Sequence, residues 1–88
     1  MKKSLEDLRK EIDAIDHELL QILAKRMGAV KKVGELKKEL NLPTASEERR
    51  KQVLEFYISQ AQKLSLSENF VQKLYELIHD HALEIEKK

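Results

Sequence analysis

Two cations, Arg26 and Lys37, lie near the middle of an apolar stripe that a helical reading gives to the first forty residues. They are eleven positions apart, close to three helical turns, so they share a face at an axial separation of roughly 16 Å. A charge that faces inward without a partner is strongly unfavourable. A bound small polyanion would satisfy both cations. Internal carboxylates, or side chains that extend to solvent, would also satisfy them.

A second group of charged and polar residues lies on the next predicted helix. Arg50 is at the centre of its apolar face, with Ser46 beside it and Arg49 at the edge. Glu86, at the edge of the third apolar face, is an available ion-pair partner for Arg50. Ser46, Arg49 and Arg50 are therefore candidates for binding the ligand. In the alternative interpretation, Arg49 and Glu86 are solvated surface residues, Ser46 only starts a helix and Arg50 forms an internal ion pair.

Arg9 has a different position, because it flanks the first stripe and lies about 25 Å along the helix from Arg26. One chain cannot bring both guanidinium groups to the same small molecule. Antiparallel pairing of two copies of the long helix would bring Arg9 of one subunit towards Arg26 of the other. Without that pairing, Arg9 is an ordinary exposed residue.

The remaining residue types argue against several other chemistries. The chain has no cysteine, which excludes disulfides and thiolate catalysis. His79 and His81 are two positions apart, point to opposite sides of a helix and have poor spacing for a metal, so we expect no metal site. His81 is predicted to be a packed core or interface residue, and His17 lies off the stripe.

Composition indicates one small helical domain over residues 1–88. Hydrophobic residues are 41% and charged residues 38%, with two glycines and one proline, a mixture that suits helices. The net charge of +1 favours neither nucleic acid nor an anionic membrane as a partner. We find no signal peptide and no long apolar run, so we expect a cytoplasmic protein.

Three helices position these residues. The first is predicted from about Ser4 to Leu40, and Pro43 ends it. Thr44 and Glu47 read as a capping box for the second helix, and the segment from Ser65 to Ser67 offers caps for the third. The apolar positions expected on the inner faces of helices two and three are Val53, Leu54, Tyr57, Ile58, Ala61, Leu64, Phe70, Val71, Leu74, Tyr75, Leu77, Ile78, Ala82 and Ile85.

The first helix is too long for its partners. At 1.5 Å per residue it extends roughly 55 Å, and two shorter helices cover about half of its stripe. Pairing the long helices of two copies would cover the remainder. The sequence therefore predicts an all-α fold with three helices per subunit and an intertwined homodimer.

The chain also resembles a known family. The resemblance extends from Leu5 to about Ile85 and rests on LxxLRKEIDxIDxELLxILAKRMxxVxxVGELK, then LP, then ExRRKxVL. These motifs are similar to those of the small all-helical chorismate mutases. The resemblance implies an interlaced dimer of three-helix subunits with two active sites. It also implies the [3,3] rearrangement of chorismate to prephenate in phenylalanine and tyrosine synthesis, with no cofactor, metal or covalent intermediate.

The resemblance also implies roles for individual residues. Arg26, and Arg9 from the neighbouring subunit, would bind the two substrate carboxylates. Lys37 would donate to the ether oxygen as the C–O bond breaks. Arg49 matches the arginine that helix two contributes to the site. Glu86 stands where many members have a glutamine that also donates to this oxygen.

Four positions depart from the family pattern. Ser46 replaces an aspartate, Arg50 replaces a glutamate that helps to bind the substrate hydroxyl, and Ala82 replaces a small polar residue. Glu86 can donate a hydrogen bond only when protonated. These departures leave three functions open: a chorismate mutase; an isochorismate-pyruvate lyase or aminodeoxychorismate mutase on the same fold; and a non-catalytic regulatory or interaction dimer.

Overall fold

The computed structural model describes residues 3–88, and the first two residues of the predicted domain lie outside this range. It contains three α-helices, α1 (Leu5–Glu39), α2 (Glu47–Lys63) and α3 (Glu68–Lys87), and no strand between residues 3 and 88. The predicted all-α fold with a long first helix is confirmed. None of these three helices combines the length and apolar character needed to cross a membrane.

Serine side chains start α1 and α3. Ser4 Oγ accepts from the backbone N–H of Asp7 at 3.1 Å, and the Asp7 carboxylate accepts from the backbone N–H of Ser4 at 3.3 Å. This reciprocal pair is a capping box. Ser67 Oγ accepts from the backbone N–H of Phe70 at 3.2 Å. Both helices therefore begin where the sequence predicts.

The predicted capping box of α2 at Thr44 and Glu47 is wrong. Ser46 is the N-cap, with its Oγ accepting from the backbone N–H of Arg49 at 3.2 Å. Thr44 lies two residues before this N-cap, and its carbonyl oxygen accepts from Lys37 Nζ. The cap therefore falls at the hydroxyl residue that directly precedes the first helical turn, and Thr44 serves another contact.

Helices α1 and α2 each end in the same type of turn. Asn41 and Ser65, with φ of 55° and 57°, adopt the left-handed conformation just after the helices. The backbone N–H of Leu42 then bonds back to the α1 carbonyl of Lys37 at 2.8 Å, and that of Leu66 does the same to an α2 carbonyl at 2.9 Å. These bonds form Schellman motifs, which satisfy carbonyls at the helix ends and turn the chain sharply.

Helix α3 packs against both α1 and α2, while α1 and α2 do not pack against each other within residues 3–88. The buried hydrophobic residues of this region are Ala61, Val71, Tyr75 and Ala82. The buried residue of α1 is Gly34. The core is therefore narrow and centred on α3.

Several predicted core positions are exposed. The structure leaves Leu64, Phe70, Leu74 and Leu77 open to solvent. The apolar faces of α2 and α3 are wider than the strip along which the helices meet, so nothing between residues 3 and 88 covers these side chains. At these positions the predicted burial within one chain is wrong.

The first half of α1 also extends beyond the other helices. Its apolar residues are 43% to 64% exposed, namely Leu5, Leu8, Ile12, Ile15, Leu19, Leu20 and Ile22. The described chain measures 59 × 24 × 15 Å, with a radius of gyration of 16.7 Å. A compact chain of this length has a radius of gyration of about 12 Å. One copy therefore leaves much of the α1 stripe uncovered.

Candidate active site

A cavity of about 320 Å³ lies between the second half of α1, the start of α2 and the second half of α3. Its charged lining consists of four cations, Arg26, Lys37, Arg49 and Arg50, and one carboxylate, Glu86. The volume is within the range of small-molecule sites. The structure therefore brings together, in one chain, every predicted site residue on α1 and α2 except Arg9, together with Glu86.

Arg26 lacks a hydrogen-bond partner. Its Nη1 atom is buried and makes no hydrogen bond within residues 3–88. Buried donors are almost always paired, and leaving a charged one unpaired costs more than about 1–3 kcal/mol. A carboxylate placed in the cavity would supply the acceptor that this guanidinium lacks.

Lys37 is held by two oxygen atoms. Its Nζ donates to the Thr44 carbonyl oxygen at 2.6 Å and to Glu86 Oε1 at 2.7 Å. The Glu86 side chain is only 10% exposed, so water screens this ion pair weakly. An ammonium has three protons to donate, and two are used in these contacts. The third remains for a ligand.

Gly34 places Glu86 next to Lys37. A Cβ built on Gly34 would lie 2.9 Å from the Glu86 Cα and 3.2 Å from the Glu86 carbonyl oxygen. These distances are too short for a methyl group beside backbone. The backbones of α1 and α3 therefore meet at a point that only glycine allows. Lys37 is three positions further along α1, so it lies on the same face.

The ion pair between Arg50 and Glu86, which the sequence analysis kept as an alternative, does not form. The Glu86 carboxylate pairs with Lys37, because the contact at Gly34 holds this part of α3 against α1. The carboxylate recorded near Arg50 is that of Glu47, at 4.0 Å, and its side chain is 88% exposed. Water screens such an ion pair strongly, so the Arg50 charge remains available at the cavity wall.

The other predicted binding residues divide into two groups. Ser46 and Arg49 line the cavity and are exposed, and Ser46 also has the helix-start role that the sequence analysis kept as an alternative. Arg9 is exposed on the first half of α1 and does not line the cavity. A single chain does not bring Arg9 to the site, as expected from its distance along the helix.

Tyr75 and His79 also line the cavity, and the sequence analysis gave neither a role there. Tyr75 is 2% exposed, and its hydroxyl lies 3.4 Å from both the Arg50 carbonyl oxygen and His79 Nδ1. Its ring contacts those of Tyr57 and His79, at centroid distances of 4.8 and 5.6 Å. Burial raises the pKa of Tyr75 above 10.0, although Arg50 lowers it in part, so the phenol keeps its proton at neutral pH.

A signal for both residues was present in the sequence. Positions 75, 79 and 86 are separated by four and seven residues, so they follow one face of α3. The predicted position of Glu86 therefore pointed to Tyr75 and His79.

His81 does not belong to the core of the chain. It is exposed, and its Nδ1 lies 3.7 Å from a Glu84 carboxylate oxygen. Its position is about 100° around α3 from the line through Val71, Tyr75 and Ala82. The core interpretation is wrong, while an interface role stays a prediction. Between residues 3 and 88 no three metal-ligating side chains are grouped to hold a metal ion.

Comparisons with known proteins indicate the family of this chain. The family model for chorismate mutase type II matches residues 8–87. The chorismate mutase of Methanocaldococcus jannaschii is 28% identical over 88 residues, covering all of this chain and 89% of the relative. The T-protein of Haemophilus influenzae is 37% identical over 70 residues, which cover 80% of this chain and 19% of that longer protein.

Solved structures show the same arrangement of helices. The Form II structure of chorismate mutase from Thermus thermophilus superposes with a TM-score of 0.90 at 27% identity, covering 98% of this chain and 97% of the other. A conserved hypothetical protein from Pyrococcus furiosus gives a TM-score of 0.74 at 30% identity, covering 98% of this chain and 99% of the other. Because the family model covers nearly the whole chain and the fold agrees, this chain belongs to the chorismate mutase type II family.

Proposed function

We propose that the protein catalyses the rearrangement of chorismate to prephenate in aromatic amino-acid biosynthesis. The observation that carries this proposal is the buried Arg26 Nη1 without a partner, in a cavity whose charged lining is four cations and one carboxylate. Chorismate has two carboxylates, which supply the negative charge that such a cavity attracts.

The reaction breaks the ether C–O bond and forms a C–C bond within one molecule. A flexible dianion must first adopt a chair-like geometry that brings the two carbon atoms together, and fixed cations favour that geometry. In this proposal, Arg26 binds one carboxylate and Arg49 adds positive charge at the mouth of the cavity. The other carboxylate binds Arg9 of a second copy of the chain.

Lys37 acts on the bond that breaks. Negative charge accumulates on the ether oxygen in the transition state, and a fixed ammonium stabilises that charge more than it stabilises the substrate. The two contacts of Lys37 Nζ, with the Thr44 carbonyl oxygen and Glu86 Oε1, hold it in place before the substrate arrives. Donation from a protonated Glu86 to the ether oxygen stays a prediction, whereas its ionised form orients Lys37.

A homodimer completes the site in this proposal. The α1 residues from Leu5 to Ile22 have an exposed apolar stripe about five turns long. A second copy is the partner that would both cover it and bring Arg9 to the cavity. The same pairing would explain why one chain has so extended a shape.

The test is turnover of purified protein with chorismate, followed by the loss of chorismate absorbance. We expect turnover by the wild type. Lys37→Ala should lower kcat by roughly 10³-fold, because it removes the group that stabilises the ether oxygen. Lys38→Ala is the matched control, since Lys38 is the neighbouring lysine and does not line the cavity.

The outcomes separate the competing functions. Absence of turnover by the wild type, or full activity of a helical Lys37→Ala variant, would contradict the proposal. Release of pyruvate from isochorismate without chorismate turnover would indicate the lyase instead. Absence of binding to a bicyclic dicarboxylate that mimics the transition state would favour the non-catalytic dimer.

A further inference from the structure

The cavity is rich in hydrogen-bond donors and poor in free acceptors. Its guanidinium and ammonium groups can only donate, and the carboxylate of Glu86 already accepts from Lys37. The substrate of the proposed function has a ring hydroxyl besides its two carboxylates. A bound hydroxyl donates its proton, so it requires an acceptor that these cations do not provide.

The family pattern also indicates that the ring hydroxyl needs an acceptor. The residue that helps to bind the substrate hydroxyl in the family pattern is a glutamate, and this chain has Arg50 at that position. Arginine has no acceptor atom. Another residue must therefore accept the proton of the hydroxyl if the substrate binds with its usual contacts.

His79 has the required atom. It is half-buried and lines the same cavity. Its Nδ1 lies 3.4 Å from the Tyr75 hydroxyl, with the two rings stacked at 30°. No hydrogen bond joins His79 Nε2 to any other residue between positions 3 and 88. Tyr75 therefore orients the ring through one nitrogen and leaves the other for a ligand.

The hydrogen bonds around Tyr75 favour one tautomer of His79. The Tyr75 hydroxyl has one proton, which it donates to the Arg50 carbonyl oxygen at 3.4 Å. Its contact with His79 Nδ1 at 3.4 Å is then a hydrogen bond only when Nδ1 carries the proton. In a neutral imidazole with the proton on Nδ1, the Nε2 atom is an acceptor. This series of hydrogen bonds, from Arg50 through Tyr75 to His79, thus leaves Nε2 as an acceptor at the cavity.

We propose that His79 Nε2 accepts the hydrogen bond of the substrate's ring hydroxyl and that Tyr75 positions the imidazole for this contact. The proposal rests on the proposed function, since it assigns one group of the same substrate. The rival acceptors in the cavity lining are the second carboxylate oxygen of Glu86 and the hydroxyls of Thr44 and Ser46. The Ser46 hydroxyl already accepts from the backbone N–H of Arg49.

The test compares two bicyclic dicarboxylates, one with the ring hydroxyl and one with hydrogen in its place, by calorimetric titration. The wild type should bind the hydroxylated compound about tenfold more tightly. His79→Leu should lose this preference and bind the deoxy compound as the wild type does. Circular dichroism checks that each variant is folded.

Two conservative variants separate binding from packing. The amide of Gln reaches the place of Nε2, so His79→Gln should restore much of the preference for the hydroxyl. The amide of Asn reaches only the place of Nδ1, so His79→Asn should restore the contact with Tyr75 but not the preference. With chorismate as substrate, kcat/KM should follow the same order.

Several results would overturn the assignment. One is a wild type without the preference, and another is a preference that persists in His79→Leu. Equal loss of affinity for both compounds, or rescue by Asn rather than Gln, would show a packing role. Loss of the preference in Ser46→Ala instead would give the role to Ser46. Because these are binding measurements, they decide the role of His79 even if the wild type fails to turn over chorismate, which would contradict the proposed reaction alone.

Discussion

The two halves of α1 have the same apolar periodicity and different surroundings. The first half, from Leu5 to Ile22, is exposed along its stripe. The second half contains Arg26, Gly34 and Lys37 and packs against α3, where the cavity forms. Two stretches of α1 with the same apolar period therefore have different roles. One half carries the inward cations, and we propose that the other half joins a second chain.

The largest expected effect tests whether the two halves cooperate across subunits. Arg9→Ala and Arg26→Ala should each lower kcat/KM by roughly 10²–10³-fold, because each removes a cation that binds a substrate carboxylate. An equal mixture of the two variants, unfolded and refolded together, should recover about a quarter of the wild-type sites, since half of a random dimer population has one intact site. Steady-state kinetics before and after mixing measure this.

A mixture that recovers no activity, while two different affinity tags on the two variants co-purify as mixed dimers, would place Arg9 outside the site. Activity in Arg9→Ala equal to that of the wild type would have the same meaning. Either result would make the first half of α1 a purely structural element.

A charge in the exposed stripe should separate the subunits. Ile15→Glu places a carboxylate in the proposed interface, where burial without a partner is unfavourable, so we expect a monomer at micromolar concentration and roughly 10²-fold lower activity. His17→Glu is the matched control, because it adds the same charge two positions away, on the opposite side of the helix. Analytical ultracentrifugation measures the mass, and a fully active Ile15→Glu monomer would contradict the account.

The contact at Gly34 gives an intermediate effect. Gly34→Ala should push α3 away at Glu86, lower kcat by roughly tenfold to a hundredfold, and reduce the free energy of unfolding by about 2 kcal/mol. Gly28→Ala makes the same change in the same helix, at a position where no atom of residues 3–88 lies within 4 Å of the added Cβ. It should stabilise the helix by about 1 kcal/mol.

Thermal unfolding and kinetics of the two glycine variants test whether the contact at Gly34 positions Glu86. If Gly34→Ala keeps both its stability and its kcat, then the close approach of α1 and α3 does not position the Lys37–Glu86 pair. Parallel losses in both glycine variants would point to a general effect on α1 instead.

The smallest expected effect concerns the start of α2. Ser46→Ala removes the N-cap acceptor and should lower the free energy of unfolding by about 1 kcal/mol, which is a fall in Tm of about 4–8 °C for a domain of this size. Ser46→Asp should restore the loss, because aspartate is also a good N-cap. A Tm of Ser46→Ala equal to that of the wild type would show that the cap contributes nothing measurable.

Local patterns in the sequence predicted the helices well. The 3.6-residue period, Pro43 and the Ser residues at the helix starts gave three helices with nearly correct limits, because these signals act over one or two turns. The cap of α2 was wrong because Thr44 and Ser46 both have a hydroxyl. In the structure the Ser46 hydroxyl caps α2, whereas Thr44 contributes its backbone carbonyl to Lys37.

Contacts between helices were harder to predict. Period and phase place Arg26, Lys37 and Arg50 on inner faces, but they do not tell which carboxylate each cation meets. The pairing of Glu86 with Lys37 depends on the backbone contact at Gly34. The contact of Tyr75 with His79 and Arg50 depends on how α2 lies on α3. Such distances follow from the packing of whole helices, which a local pattern does not contain.

The most direct test of the central claim is a crystal structure with a bicyclic dicarboxylate bound. The inward cations of the second half of α1 should hold the ligand. Arg26 Nη1 should lie about 2.7–3.0 Å from a ligand carboxylate oxygen, and Lys37 Nζ should contact the ligand oxygen that corresponds to the ether oxygen of chorismate. A dianion bound elsewhere, with Arg26 Nη1 still unpartnered, would contradict the account.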